Sequence, residues 1–188
     1  QNCRRTEAAT AKLSEDGVQE INQDMETTVD ELIRQFEDTL SEEGYHGLHV
    51  SQEVVTDNAQ YYTVKLSVLE TEASGYEHNQ FYTIDKQTGN VVALADLFAE
   101  GSDYISVISE NIKTQMREQM VADEGVIYFL DDEDMPEFNF QSITEQTNFY
   151  FNESGELVIA FDEYEVAPGY MGAPEFVIPQ KVTAGLLK

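Results

Sequence analysis

The residues able to do chemistry are few, and their spacing does not converge. His46, His49 and His78 are the chain's only imidazoles. His46 and His49 lie three apart, but in a glycine-rich strand entry and not on one helix face. A metal centre needs converging ligands and a shell of groups to orient them, and neither is legible. Asp131, Asp132, Glu133 and Asp134 offer the hard oxygens that Ca²⁺ takes. Consecutive carboxylates point in different directions, however, and the glycine of an EF-hand loop is missing. The run reads as a solvated acidic loop. With 37 Asp plus Glu in 188 residues, some carboxylate pair always has a glycosidase-like spacing, so such pairs carry no weight. No GxSxG, HExxH, CxxC or phosphate-binding glycine loop occurs. The residues point away from an enzyme, and no cofactor or metal is expected.

Recognition is the remaining class of function. Residues 167–173, APGYMGA, place Tyr170 and Met171 on a backbone stiffened by Pro168 and bent by Gly169 and Gly172. Such a loop loses little entropy when it is held in place, which suits a contact surface. Tyrosine adds a large ring, a polar tip and few rotors. The other reading is that Tyr170 and Met171 tuck back into the core as a plug. A second candidate, residues 73–80 (ASGYEHNQ), offers Ser74, Gly75, Tyr76, Glu77 and His78 as a loop between two strands. Asn152, Glu153 and Ser154 match a glycosylation sequon, but they also fit an ordinary hairpin turn, which is the preferred reading.

Charge narrows the choice of partner. Ten Lys plus Arg oppose the acids, for a formal net charge of −27. A field of that sign repels nucleic acid and anionic lipid and favours cationic partners. It also serves simply to keep a domain soluble. The one cysteine, Cys3, excludes an internal disulfide, so the fold must rest on its core. No apolar run is long enough to span a bilayer. The first residue is not Met, and a membrane anchor is expected upstream.

Periodicity supplies the elements that must hold these loops. Residues 1–13 are polar, without period, and expected to be flexible. Val18, Ile21, Met25, Val29, Leu32, Ile33, Phe36 and Leu40 recur at three- and four-residue steps, which predicts an amphipathic helix over 15–42, ended by Gly44. Residues 48–56 are β-rich. Tyr62, Val64, Leu66 and Val68 alternate with polar neighbours as in a half-buried strand. Further strands are expected at 81–85 and 91–94, around a turn at 86–89, followed by a helical turn at 96–98. Ser102 is a candidate N-cap for a second long helix over 103–121. A hairpin over 143–151 and 157–161 and an extended piece at 175–179 complete the chain. The expected class is α+β: two long helices on antiparallel sheet, a meander plus a hairpin. Residues 14–188 are expected to form a single domain.

The segments INQDMETTVDELIRQF, YYTVKLSVLETEASGYE, FYTIDKQTGNVVALADLF, GSDYISVISENIKTQM and NFYFNESGELVIAFDEYEVAPGYMG, spanning 18–179, resemble the outer domain of RsiV-type anti-sigma factors. The DKQTG turn followed by LADLF resembles a DUF3298-like module, expected at about 95–182. The same module occurs beside some peptidoglycan deacetylase domains. The resemblance implies a monomeric, non-enzymatic sensor on the extracellular face of a bacterial plasma membrane. It implies that lysozyme binding exposes the chain to signal peptidase and then to an intramembrane protease, which frees a sigma factor held by a cytoplasmic segment outside this sequence. It places Pro168 and Tyr170 at the lysozyme contact and residues 74–78 at a second contact strip. The wider family's Gly-Gly-Ala-His is replaced there by Ser74, Gly75, Tyr76, Glu77 and His78. The competing reading is an accessory glycan-binding module of a cell-wall-modifying enzyme.

Overall fold

The structure, a computed structural model, describes residues 15–39, 46–71 and 75–188. Cys3, Gly44, Ser74 and the expected flexible stretch 1–13 lie outside the described residues. The chain divides into two compact units, Gln1–Val92 and Ala93–Lys188.

The first unit opens with α1 (Glu15–Thr39) and continues through β1 (Gly47–Asp57), β2 (Tyr61–Thr71) and β3 (Gly75–Asp85). The strands form one antiparallel sheet in the order β1-β2-β3. The alternation that predicts β2 is the one that packs it. Ile21 of α1 is buried on Leu66, Tyr82 and Ile84, with Val18, Met25, Val29, Val50 and Val91 around them. The Tyr82 hydroxyl donates to Asp24 Oδ2 at 2.8 Å. Burial, and then that carboxylate, raise the Tyr82 pKa far above its ordinary value. On the opposite face Thr63 and Thr83 are buried and share a 2.8 Å hydrogen bond.

The second unit runs α2 (Tyr104–Ala122), β4 (Asn148–Phe151), β5 (Leu157–Ala160), β6 (Glu175–Ile178) and a short α3 (Gln180–Thr183). Its three strands make a second antiparallel sheet, β4-β5-β6. All four β5 side chains are buried, as a central strand covered on both faces requires. Helix α2 buries Ile108, Ile112 and Met116. Its Gln115 Nε2 donates to the Val177 carbonyl of β6 at 3.0 Å. Ser109 Oγ, also buried, accepts the Ile143 N–H at 3.0 Å and ties α2 to the approach to β4. The architecture is α+β, as expected, with three α-helices and two sheets among the described residues.

Several local expectations are corrected. The strand expected at 91–94 reduces to one bridge, Val91 to Ile84, followed by a 3₁₀ turn at Leu94–Leu97. Asp96 Oδ2 accepts the Ala93 N–H at 2.9 Å, which favours the turn, and Leu94 and Leu97 bury the same side of it. Asp103, not Ser102, is the N-cap of α2, because the Asp103 carbonyl accepts the first bond of the helix, from the Val107 N–H. The first hairpin strand begins at Asn148, not 143. Thr147 Oγ1 accepts the Thr144 N–H, and Thr144 Oγ1 accepts the Gln146 N–H, so threonine hydroxyls divert the backbone into a turn. The hairpin turn at 152–155 is as expected, with the Gly155 N–H donating to the Asn152 carbonyl.

Ile159, fully buried at the centre of the β4-β5-β6 sheet, supplies a test of this core. Ile159→Ala should destabilise the chain by about 2–5 kcal/mol in urea unfolding. A loss under ~1 kcal/mol would show that β5 is not the centre of the packing.

Candidate functional site

The loop between β5 and β6 is pinned at its base and again in its middle. At the base the Phe161 N–H donates to the Pro174 carbonyl at 2.9 Å. The Phe161 and Phe176 rings meet edge to face beneath it, with centroids 5.9 Å apart, and both are buried. In the middle, Val166 and Ala167 are almost wholly buried. The Val166 carbonyl accepts the Phe129 N–H at 2.8 Å. Pro168 then sets the exit direction, and Gly169–Met171 make a single 3₁₀ turn. Gly172 ends it at φ 66, ψ −144, a region that essentially only glycine enters.

Tyr170 faces outward, with 67% of its surface exposed, so the plug reading fails for this ring. Its hydroxyl donates to the Gly125 carbonyl at 3.1 Å. With the Phe129–Val166 bond, this makes residues 125–129 run beside 166–170 in the opposite sense. Ile127, 46% exposed, lies between the two tie points. Met171 and Pro168 are half-buried. The loop thus offers a large aromatic on a backbone that is already ordered, so binding spends little further entropy on it.

Tyr164 belongs to the same surface and was not singled out from the sequence. It is 50% exposed and sits at φ 67, a left-handed conformation that bulky residues rarely adopt. That conformation costs roughly 1–2 kcal/mol. Its ring lies against Gly169, where a β-carbon would overlap Cζ, Oη and Cε1. Gly169 is therefore needed for the close approach of a ring, and the positive φ of this turn falls on Gly172. Carboxylates border this stretch: Asp162, Glu163 and Glu165 precede the turn, and Asp123 and Glu124 precede Gly125. Glu165 Oε2 turns back to accept the Asp162 N–H at 2.8 Å. Burial of that carboxyl raises its pKa, and the N–H opposes the rise.

The second candidate group is placed differently from the loop expected of it. Gly75, Tyr76, Glu77 and His78 begin β3, pairing Tyr76 with Glu70, Glu77 with Leu69 and His78 with Val68. Ser74 lies outside the described residues. Strand alternation sends Tyr76 and His78 to one face and Glu77 to the other. The Tyr76 and His78 rings are 5.4 Å apart, and His78 Nδ1 is 4.0 Å from Glu70 Oε1. Tyr76, His78 and Glu70 are thus one cluster, and Glu77 is not part of it. This group belongs to the first unit and the Pro168–Met171 group to the second.

The remaining chemical candidates resolve into structure. Arg117 grips Asp131 with two hydrogen bonds, Nε to Oδ2 at 2.7 Å and Nη2 to Oδ1 at 3.1 Å. Those bonds hold the Asp131 carboxyl below its ordinary pKa. Asp132 Oδ1 accepts the N–H groups of Asp134 and Met135. Both carboxylates are thus engaged in holding the loop. Among the described residues no group of three or more His, Cys, Asp or Glu is placed to hold a metal ion. No helix among them is long and apolar enough to cross a membrane.

Comparison with known proteins agrees with this architecture. Residues 95–181 match the family model described as a protein of unknown function, DUF3298. The second unit is thus a DUF3298 module. Two solved structures share the fold: a DUF3298 family protein from Pseudomonas aeruginosa PAO1, with a TM-score of 0.62 and 22% identity over 84% of this chain and 68% of that one, and a DUF3298 family member from Bacteroides fragilis NCTC 9343, with a TM-score of 0.55 and 19% identity over 93% of this chain and 70% of that one. Anti-sigma-V factor RsiV of Bacillus subtilis is 39% identical over 176 residues, 88% of this chain. The module is of the RsiV type. The chain spans 61% of that relative's length.

The Tyr164–Gly169 contact generates a test. Gly169→Ala should cost about 1 kcal/mol or more in urea unfolding, as overpacking does. In a Tyr164→Asn background the same substitution should cost much less, because the three atoms nearest the added β-carbon all belong to the Tyr164 ring. Equal penalties in both backgrounds would contradict the contact.

Proposed function

We propose that this chain is the outer, partner-sensing domain of a membrane-anchored anti-sigma factor, and that the partner it senses is lysozyme. The relation to RsiV supports the anti-sigma setting. In that setting the domain stands on the extracellular face of a bacterial plasma membrane, as a non-enzymatic monomer. Lysozyme binding then permits signal peptidase and an intramembrane protease to act on the full-length protein, releasing a sigma factor held by its cytoplasmic segment.

The observation that carries this reading is Tyr170: exposed, tied down by its own hydroxyl, and set on a proline- and glycine-shaped turn over a buried base. Pro168, Gly169, Tyr170 and Met171 are the proposed contacts in the second unit. The Tyr76–His78 cluster, with Gly75 and the neighbouring Ser74 and Glu77, is the proposed second strip. Lysozymes of the common animal type are basic, and a chain of net charge −27 attracts such a partner over distances of about 8 Å at physiological salt. That attraction acts mainly on the rate of encounter. The aromatic and apolar anchors act on how long the complex lasts.

The second reading, an accessory glycan-binding module, draws on the same exposed tyrosines, since sugar rings stack on aromatic faces. The two separate cleanly by titration calorimetry. The sensor reading expects a stoichiometric complex with lysozyme whose association weakens as salt rises. Tyr170→Ala should cost about 2 kcal/mol of binding in a protein that still folds. No heat with lysozyme at low salt, together with binding to peptidoglycan glycan strands, would replace the sensor reading with the glycan one.

A further inference from the structure

We propose that the turn at residues 132–139 is a further contact strip of the second unit, whose Met135 and Phe138 side chains enter an apolar cleft of a basic partner protein. This rests on the reading that the partner is basic, and it adds to that reading a turn remote in sequence from Pro168–Met171.

Phe138 and Tyr170 are the two most exposed aromatic rings among the described residues, at 60% and 67%. Met135 is 52% exposed. A 3₁₀ turn over Pro136–Phe138, closed by the Phe138 N–H on the Met135 carbonyl, brings residues three apart to one side. Single exposed apolar side chains are ordinary, but these two stand together on one ordered turn. Asn139 holds its base, accepting the Asp132 N–H at 3.0 Å and donating to the Asp132 carbonyl at 2.9 Å. Asp132 Oδ1 accepts the Met135 N–H at 3.1 Å. Core packing falls to Phe140 instead, which is buried and meets Phe161 edge to face at 5.4 Å. The turn is thus fixed with Met135 and Phe138 left in solvent, as an ordered contact surface requires.

The strip shares its supports with the Tyr170 turn. Phe129 donates its N–H to the Val166 carbonyl beneath that turn, and its own carbonyl accepts the Phe140 N–H at 2.7 Å. Phe161, which Phe140 packs on, closes the base of the β5–β6 loop. Tyr170 is tied to Gly125, and the chain from Gly125 to Asp132 spans at most about 25 Å. A standard interface of about 800 Å² a side is roughly 30 Å across, so both turns fit one partner's footprint.

Charge selects the occupant. Glu133, Asp134 and Glu137 alternate with the apolar residues and are exposed. A second copy would bring the same carboxylates and its own charge of −27 against them, which opposes self-association. A basic protein meets them with opposite charge, so that the apolar anchors sit inside a polar rim.

Phe138→Ser and Met135→Ser in the 188-residue chain test this, by titration calorimetry with lysozyme and by thermal melting. Both side chains are exposed, so melting temperatures should stay within about 2 °C of the unsubstituted chain. The dissociation constant should rise about tenfold or more in Phe138→Ser, and in the same direction in Met135→Ser. Wild-type affinity in both variants overturns the proposal, and if Tyr170→Ala still weakens binding, the lysozyme reading stands without it. If Phe138→Ser melts much lower, Met135→Ser decides: weakened binding upholds the strip, and wild-type affinity makes the turn structural and overturns it. Failure of the unsubstituted chain to bind lysozyme removes both readings. A dimer in sedimentation that Phe138→Ser dissociates would assign the turn to self-association and overturn the basic partner. Binding of glycan strands that Phe138→Ser abolishes would assign it to sugar, with the same consequence.

Discussion

The burial of Val166 and Ala167 is the constraint on which the candidate site depends. Two adjacent residues sunk into the core, with the Val166 carbonyl paired to Phe129, leave the next residues no route but outward. Pro168 fixes the angle of exit, and Gly172 reverses the chain at a conformation other residues avoid. Phe161 and Phe176 close the base through their rings and through the Phe161–Pro174 hydrogen bond. Tyr170 is exposed because everything on either side of it is held down. A loop ordered in this way before it meets a partner avoids the ordering cost that a mobile loop bears on binding.

Two kinds of force are separated in this molecule. The charge of −27 belongs to the whole chain and acts at long range. Local contact belongs to a few rings. Where acids are engaged in specific bonds, they shape loops: Asp131 holds Arg117, Asp132 caps the following backbone N–H groups, and Glu165 closes back on Asp162. The acidic run at 131–134 is therefore a structural turn, and its carboxylates are not arranged as ligands.

Much of this was legible in the residues, because it followed from periodicity. The 3.6-residue spacing of Val18, Ile21, Met25 and Val29 and the alternation of Val64, Leu66 and Val68 located α1 and β2 and the core between them. The start of β3 was not legible. Gly75, Tyr76, Glu77 and His78 carry a loop's composition, and only pairing with β2 makes them strand. Residues 144–147 failed in the opposite sense: they look extended, but threonine hydroxyls turn them. The division between Val92 and Ala93 falls in VVALADL, an apolar stretch without Pro, Gly or Ser to mark a boundary. Tyr164 was hidden for a different reason. Its position is set by a backbone angle and by the space above Gly169, and neither leaves a mark in residue order.

Hydrogen–deuterium exchange of the chain with and without lysozyme tests the central claim most directly, that the ordered β5–β6 loop is the partner surface. The account predicts a complex in which backbone amides of residues 162–173 gain protection, with the melting temperature raised by the bound partner. A stable complex in which those amides exchange as they do in the free chain would contradict it.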